Sequence, residues 1–252
     1  VSEDKNLSLN LSFTPQNSET EFIITYSKTT DNQSNNSPPT EAKLPLSTPL
    51  QELVRLEIIP NSETVNPHDI ITRRQYARWL VSVNNLIFKD TNGNLIRLAN
   101  PTRTPLFSDV PTSDPDFPFI QGLAEAGLIP SSLLQQSSAI AFRPDEPLTR
   151  EDLIAWKVPL DFRQKLPTVT IDSIKESWGF RDTNDISPQV WGELYLDWQN
   201  GEASNIRKAF GYITLFQPKK TVTLEEAAAV LNSFGRKTDM HLTKNVNISN
   251  NQ

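Results

Sequence analysis

The 252-residue chain contains no cysteine, which excludes disulfides, thiolate nucleophiles and thiolate metal ligands. Its two histidines, His68 and His241, are far apart in sequence and form neither of the HxxxH and HxH spacings used by zinc sites, so we predict no metal site. Only eight glycines are present, and the chain has no glycine-rich phosphate loop, GxSxG elbow or HExxH motif. We therefore predict no catalytic residues, no cofactor and a protein that is not an enzyme.

Positive charge and long apolar runs are also scarce. The formal net charge of -6 argues against nucleic acid as a partner, because a protein that binds phosphates presents a basic face. No stretch approaches the roughly 18–20 apolar residues that span a bilayer, which predicts a soluble chain. Because the chain begins at Val1 and its only methionine is Met240, we expect a missing N-terminal segment, and membrane attachment only through it.

The two ends of the chain differ from its middle. Alternating apolar residues from Leu7 to Phe13 and a second apolar run near Tyr26 predict a small β element over residues 1–26. Residues 27–45 are polar with a Pro-Pro pair, which is typical of a linker, and residues 238–252 are predicted to be a polar, frayed tail.

Three segments of the middle share one plan, with bounds of 46–98, 105–160 and 178–237. Each opens with a capping residue followed by proline, the arrangement expected at the start of a helix. These pairs are Thr48-Pro49, Asp114-Pro115 and Ser187-Pro188.

Each segment continues with a second predicted helix, which follows a loop containing proline. Thr72, Thr149 and Thr223 precede apolar stripes at helical spacing, so we predict that each threonine caps its helix. In the second segment, Pro159 is expected to end that helix. Residues of the three stripes are predicted to be buried together, namely Trp79, Leu80, Ile154, Val230 and Leu231.

Two further features have local interpretations. Asn92-Gly93 between apolar runs predicts a two-residue β-hairpin. Trp191 and Trp198 have helical spacing, which favours core positions, whereas Trp178 lies in a linker and is less constrained. The three tryptophans together could instead form a platform on which a sugar stacks.

The second segment resembles an S-layer homology (SLH) repeat along its whole length, and the first and third segments are weaker versions of it. The motifs that carry the resemblance are Phe107-Ser108-Asp109-Val110-Pro111, Leu123-Ala124-Glu125-Ala126-Gly127-Leu128-Ile129, Phe142-Arg143-Pro144 and Leu148-Thr149-Arg150-Glu151. Three segments further resemble SLH-containing proteins of cyanobacteria and chloroplast thylakoids, namely Thr72-Arg73-Arg74-Gln75-Tyr76-Ala77-Arg78-Trp79-Leu80, Ile120-Gln121-Gly122-Leu123-Ala124-Glu125-Ala126-Gly127-Leu128-Ile129 and Ala209-Phe210-Gly211-Tyr212.

The resemblance implies a mainly α fold, in which three SLH repeats form a pseudo-threefold assembly with a central three-helix bundle. It also implies grooves between repeats that bind an acidic, often pyruvylated, cell-wall glycan. The motif arginine corresponds to Arg73 and Arg150, while the third segment has Leu224. An arginine at a helix start combines a bidentate cation with free backbone N–H groups. The implied ligand-binding residues are Arg73, Arg150, Thr72, Thr149, Asp109 and Asp182.

Two functions remain open at this point. In the first, the chain is a non-catalytic anchoring module of an exported or membrane-tethered protein, and it binds an anionic envelope glycan or peptidoglycan-linked polymer. In the second, it is a protein-interaction or spacer module that contacts a membrane-protein partner at a thylakoid membrane. The expected location is the cell envelope or periplasm for the first and the thylakoid membrane for the second. The alternative role for Arg73 and Arg150 is structural, in pairs with nearby carboxylates.

Overall fold

The structure is a computed structural model that describes residues 46–60, 65–131, 141–236 and 240–242. All of these residues belong to one of the two units into which the chain divides, Lys43–Gln252. The predicted β element and linker, residues 1–26 and 27–45, lie outside the described residues.

The described residues are mainly helical, which confirms the predicted mainly α class. The helices are α1 (Thr48–Arg55), α2 (Arg73–Ile87), α3 (Phe117–Glu125), α4 (Arg150–Phe162), α5 (Ile171–Trp178), α6 (Trp191–Gln199), α7 (Asn205–Phe210) and α8 (Leu224–Leu231). Short 3-10 turns occupy Asn92–Asn94, Thr183–Asp185, Pro188–Val190 and Gly201–Ala203. Two short antiparallel strands, β1 (Ser233–Phe234) and β2 (Met240–His241), follow α8.

Strand β2 and Leu242 fall within the segment that the sequence predicted to be a frayed tail. Leu242 is fully buried, and its N–H donates to the carbonyl of Asn232 over 2.9 Å. The prediction is therefore wrong for residues 240–242, because an apolar side chain and a strand pairing fix this piece against the end of α8.

The three predicted threonine caps are confirmed. Thr72, Thr149 and Thr223 have extended backbones, and each side chain accepts a hydrogen bond from the N–H three residues later, over 3.2 to 3.3 Å. In α2 and α8 the side chain of that later residue, Gln75 or Glu226, accepts in return from the threonine N–H. These reciprocal bonds fix where the helices begin.

The helices that open the segments begin differently from the prediction. The cap of α1 is Ser47, one residue before the predicted one. Asp114 does not start a helix, because its side chain accepts from the N–H of Asp116 and closes a turn first, so α3 begins only at Phe117. Pro188 opens a 3-10 turn that leads into α6.

Two further predictions, a helix end at Pro159 and a hairpin at Asn92-Gly93, are wrong for the described structure. Helix α4 continues through Pro159 to Phe162, because Val158 and Leu160 on either side of the proline are buried in the core. The Asn92-Gly93 hairpin is also wrong, since the chain forms a 3-10 turn there. The Asn85 side chain both accepts from and donates to the backbone of Ile96, over 2.8 Å each, and takes the place of a partner strand.

The residues immediately before the three threonine caps form a closed ring of backbone hydrogen bonds. Ile71 N–H donates to Val222, Val222 N–H donates to Leu148, and Leu148 N–H donates to Ile71, over 2.9 to 3.0 Å. All three side chains are fully buried. The ring ties together three segments that are more than seventy residues apart and brings the starts of α2, α4 and α8 to one place.

The apolar stripes of these three helices enter one core. The five residues predicted to be buried together are at most 2% exposed and belong to a single hydrophobic cluster, which confirms that prediction. They are Trp79, Leu80, Ile154, Val230 and Leu231. The ring residues Ile71, Leu148 and Val222 belong to the same cluster, so the ring is part of the core.

Candidate functional site

The backbone donors at the starts of α2, α4 and α8 already have acceptors. The first N–H of each helix donates to a carbonyl of a neighbouring loop, and the second N–H does the same. The first acceptors are Glu146, Lys220 and Asp69, and the second are Pro144, Pro218 and Pro67. The expectation of free N–H groups that bind an anion at these positions is wrong, because loop carbonyls satisfy them. The three helix starts are therefore distinguished by the side chains of their first residues, Arg73, Arg150 and Leu224.

Arg73 is fully engaged by the second segment. Its Nε donates to the Phe142 carbonyl over 2.8 Å, and its Nη1 pairs with Asp152 at 2.6 Å. The guanidinium carbon lies 4.9 Å from the ring centroids of both Phe142 and Trp156. A carboxylate, a carbonyl and two aromatic faces therefore compensate this cation.

Arg150 holds the equivalent position against the third segment but is less well compensated. Its Nη1 donates to the Phe216 carbonyl over 3.1 Å, and its guanidinium carbon lies 4.1 Å from the Phe210 ring centroid. The nearest carboxylate, Glu226, is 3.8 Å from Nη2, which is too long for a hydrogen bond. Its Nε is buried without a partner among the described residues. Desolvation lowers the pKa of Arg150, and the charges of Glu226 and Asp182 oppose that effect.

The different lengths of two carboxylate side chains explain this contrast. Glu226 reaches back to the N–H of its own cap, Thr223, over 2.9 Å, and this bond holds it away from Arg150. Asp152 is one methylene shorter and makes no such return bond, so its Oδ2 accepts from Arg73 and from the Thr149 hydroxyl instead.

The third interface has no charges at the equivalent positions. Leu224 replaces the arginine, and Gln75 replaces the carboxylate. Both line the same cavity of about 430 Å³. The three pairs therefore match from one segment to the next: Arg73 with Asp152, Arg150 with Glu226, and Leu224 with Gln75. These pairs can be found in the sequence by matching the first residue of α2, α4 and α8 with the third residue of α4, α8 and α2, respectively.

The other predicted site residues hold the backbone in place. Thr72 and Thr149 are helix caps. Asp109 accepts from the N–H groups of Phe142 and Arg143, over 2.8 and 2.7 Å. Asp182 accepts in the same way from Phe216 and Gln217, over 2.9 and 2.7 Å. Each aspartate thus stabilises a loop that contains a residue with positive φ, Arg143 at 60° and Gln217 at 53°. Their contact with a ligand remains a prediction.

A row of aromatic rings leads from Phe216, whose carbonyl accepts from Arg150, to the surface; Phe216 and Phe180 are buried, and Trp178 is half-buried. Trp178 stacks on Phe180 at 5.2 Å, and Phe180 stacks on Phe216 at 5.6 Å, between ring centroids. The Arg207 guanidinium lies over Trp178 at 5.9 Å and over Tyr212 at 5.2 Å. Tyr212 is 79% exposed. Trp178 and Tyr212, the accessible rings, are called the aromatic surface below, and with the Arg150 guanidinium they form the candidate site.

Local bonds hold the exposed Tyr212 in place. Helix α7 ends at Phe210, and the next residue, Gly211, has a φ of 69° and a ψ of -153° that favour glycine and turn the chain toward Tyr212. The Tyr212 hydroxyl donates to Glu202, and Glu202 also pairs with Arg207 at 2.7 Å. Sequence reasoning missed this group, because its members come from a turn, a short helix and a loop.

The burial of the tryptophans differs from the prediction. Trp198 is 39% exposed, so its predicted core position is wrong: it lies in the last turn of α6 and packs against Tyr195 at 5.9 Å between ring centroids. Trp191 is half-buried, and its Nε1 is buried without an acceptor among the described residues. The predicted linker position of Trp178 is also wrong, because this residue is the last of α5; it is half-buried and donates to the Leu194 carbonyl over 2.8 Å.

Helix α6 also carries two buried carboxyl groups. Burial raises the pKa of Glu193 to about 7, and its Oε2 has no partner among the described residues. Burial raises the pKa of Asp197 to about 6, against the opposing effect of hydrogen bonds from the N–H groups of Ile206 and Asn205. Both groups therefore bind a proton more tightly in the folded chain than in the unfolded chain.

We expect the free energy of unfolding to fall as the pH rises from 5 to 7.5. A carboxyl whose folded pKa is raised stabilises the fold fully below its unfolded pKa, and the contribution disappears as the pH passes the folded value. Replacing Glu193 with Gln should remove about 2 kcal/mol of this change, since the amide does not ionise. Urea unfolding at the two pH values checks the result, and an unchanged pH dependence in the variant would show that Glu193 ionises at no cost.

Comparison of the chain with protein-family models finds no match, and comparison with curated protein sequences finds none either. Across the residues that the structure describes, no helix is long and apolar enough to cross a membrane. The same residues contain no group of three or more metal-binding side chains.

Proposed function

We propose that the described residues form three SLH-type repeats around a pseudo-threefold axis, with α2, α4 and α8 as the central three-helix bundle. The closed ring of Ile71, Leu148 and Val222 supports this arrangement, because each segment makes the same bond to the next. The matched pairs at the three interfaces support it further.

We propose that this body is a non-catalytic anchoring module that binds an anionic envelope glycan at Arg150, where the second and third segments meet. The observation that carries the proposal is the Arg150 guanidinium, which has a buried Nε without an acceptor and no carboxylate within hydrogen-bond distance. A carboxylate of the glycan would give this cation the charged partner that Asp152 gives to Arg73.

The surroundings of Arg150 fit a sugar polymer. Sugar rings bind to aromatic faces through their C–H groups, and the exposed Tyr212 offers such a face, whereas Trp178 is already stacked on Phe180. Arg207 lies against both rings, and its charge is already paired with Glu202 at 2.7 Å. Arg150 itself is only 5% exposed, so the glycan would reach it with one protruding acidic group rather than along a flat surface.

The alternative proposal is the second function, a protein-interaction or spacer module at a thylakoid membrane. Leu95 and Leu98 are 38% and 47% exposed and lie close together in the chain after α2. Exposed apolar side chains of this kind suit contact with a protein partner. Whether the protein acts at the envelope or at a thylakoid membrane therefore depends on which surface binds.

Two variants test the glycan proposal by calorimetry with a purified anionic envelope polymer. Arg150→Lys should weaken binding about tenfold, because lysine keeps the charge but loses the bidentate contact. Tyr212→Ala should weaken binding about fivefold without loss of stability, because it removes an exposed stacking face worth roughly 1 kcal/mol.

Arg103→Lys is the matched control, since it makes the same exchange at an exposed arginine that pairs with Glu125 on the surface. It should leave binding unchanged. Circular dichroism and the Tm of each variant would show that the fold is intact. Polymer binding that is equal in all three variants, or absent in the unchanged protein, would overturn the glycan proposal and favour the protein-interaction function.

A further inference from the structure

The chain segments that follow α2, α4 and α8 meet at the end of the three helices that is opposite to the ring. The Phe88 ring, just after α2, contacts the Phe234 ring, which follows α8, edge-on at 6.2 Å between centroids. The guanidinium carbon of Arg163, just after α4, lies 4.3 Å from the Phe88 ring centroid. The three helices are therefore in contact at both of their ends.

Exposed cations collect at this end. They are Lys89, Arg97, Arg163, Lys165 and Arg236, and none of them forms an ion pair with a carboxylate of the described residues. The stretches that carry them, 84–98, 157–168 and 232–236, contain two carboxylates, the exposed Asp90 and the buried Asp161, which pairs with Lys157. This surface, called the cationic end below, is thus positive in a chain with a formal net charge of -6.

Neutral groups hold two of these cations in place. Arg163 donates to the Asn84 side chain over 2.7 Å and to the Asn94 carbonyl over 3.3 Å. The Arg236 guanidinium carbon lies 5.2 Å from the Phe162 ring centroid. Because these partners carry no negative charge, the two guanidinium groups are positioned but their charges are not neutralised.

Two exposed leucines lie in the same stretch of chain as the first cations. Leu95 directly follows the residue whose carbonyl accepts from Arg163, and Leu98 is 47% exposed. The N–H of the next residue, Ala99, donates to the Pro118 carbonyl of α3 over 3.0 Å, which fixes this stretch against the body. Exposed apolar side chains among cations are typical of surfaces that lie on anionic bilayers.

The lysines decide between a bilayer and a protein partner for these leucines. Lysine is depleted in protein interfaces, whereas near an anionic bilayer each lysine or arginine adds attraction. We propose that the cationic end docks on the surface of an anionic lipid bilayer. This inference goes beyond the proposed function and does not rest on it, because the 13 residues of α4, about 20 Å, separate Arg150 from the cationic end.

The experiment is co-sedimentation of the full chain with phosphatidylcholine vesicles that contain about one third phosphatidylglycerol, compared with pure phosphatidylcholine vesicles. We expect binding to the anionic vesicles alone, and loss of that binding at high salt, because salt screens the attraction. Equal binding to both kinds of vesicle, or binding to neither, would overturn the inference.

A double variant, Lys89→Gln with Lys165→Gln, tests the surface itself. Both side chains are exposed, so the fold should be retained, with circular dichroism as the check. Binding to the anionic vesicles should weaken about tenfold or more. The matched control is Arg55→Gln with Lys220→Gln, which removes the same charge from α1 and from the loop at the start of α4. The control should bind as the unchanged protein does, and equal losses in the two variants would overturn the inference.

Two further probes identify the partner. Leu95→Ser with Leu98→Ser should weaken vesicle binding about fivefold, because less apolar surface leaves water, and unchanged binding would overturn the part of the leucines. Soluble poly-L-glutamate should bind much more weakly than the anionic vesicles. Binding of poly-L-glutamate without binding of vesicles would overturn the bilayer as partner and indicate an acidic protein surface.

Arg150→Lys separates this inference from the proposed function. It should weaken binding of the anionic polymer and leave vesicle binding unaffected. Polymer binding that depends on Arg150, without vesicle binding, would overturn only the docking surface. Vesicle binding that the lysine variant weakens, with polymer binding indifferent to Arg150, would support the docking surface and overturn the proposed anion site.

Discussion

Replacing Asp161 with Ala should lower the free energy of unfolding by about 3–5 kcal/mol, because it leaves a buried lysine without its counterion. Lys157 is fully buried and pairs with Asp161, which also accepts from Asn205 Nδ2 over 2.8 Å and from the Gly235 N–H over 3.1 Å. Burial lowers the pKa of Lys157 to about 8, and the charge of Asp161 opposes this effect. Urea unfolding at pH 7 measures the loss.

The pH dependence of the Asp161→Ala variant provides a second readout. Without the carboxylate the folded pKa of Lys157 should fall further below its unfolded value of 10.5. A base with a lowered folded pKa destabilises the fold below that value, and the penalty decreases as the pH rises toward the unfolded pKa. The deficit of the variant should therefore shrink from pH 7 to pH 9. A constant deficit would indicate that lost hydrogen bonds, rather than the uncompensated charge, cause it.

The second large effect is expected at Trp156, which joins the first and second segments. Its ring is 1% exposed, stacks on Tyr76 at 5.9 Å and on Phe142 at 5.7 Å between centroids, and lies under the Arg73 guanidinium. Trp156→Ala should lower the free energy of unfolding by about 3–5 kcal/mol, since it leaves a large cavity and removes both stacks.

Trp198→Ala is the matched control, because the same side chain is 39% exposed there. It should change the stability by less than about 1 kcal/mol. Equal losses in the two variants, measured by urea unfolding, would contradict the central position of Trp156.

The elements that could be predicted from the sequence are those that local bonds determine. A threonine cap needs only the residues of its own first turn, so Thr72, Thr149 and Thr223 could be identified from spacing alone. The apolar stripes indicated the buried positions for the same reason. Asp114 was misassigned because its side chain can close a turn as well as cap a helix, and only the neighbouring bonds decide between the two.

The features that could not be predicted depend on contacts between segments. Helix α4 continues through Pro159 because core packing outweighs the missing backbone donor. Arg73 and Arg150 differ because Asp152 accepts from Arg73, whereas Glu226 accepts from the N–H of its own cap. The sequence motifs do not show which of these two bonds a carboxylate makes. The aromatic surface with Tyr212 was missed because its residues come together only in the folded chain.

Nuclear magnetic resonance of the 15N-labelled protein, titrated with the anionic envelope polymer, tests the proposed anion site most directly. The Arg150 Nε–H has no acceptor among the described residues, so its resonance should shift strongly when a glycan carboxylate binds. The amides from Phe210 to Phe216 should shift with it, while Arg73 Nε, already bonded to Phe142, should remain unchanged. An Arg150 Nε resonance that is unaffected at saturation, with shifts confined to the region of Leu95 and Leu98, would contradict glycan binding at Arg150.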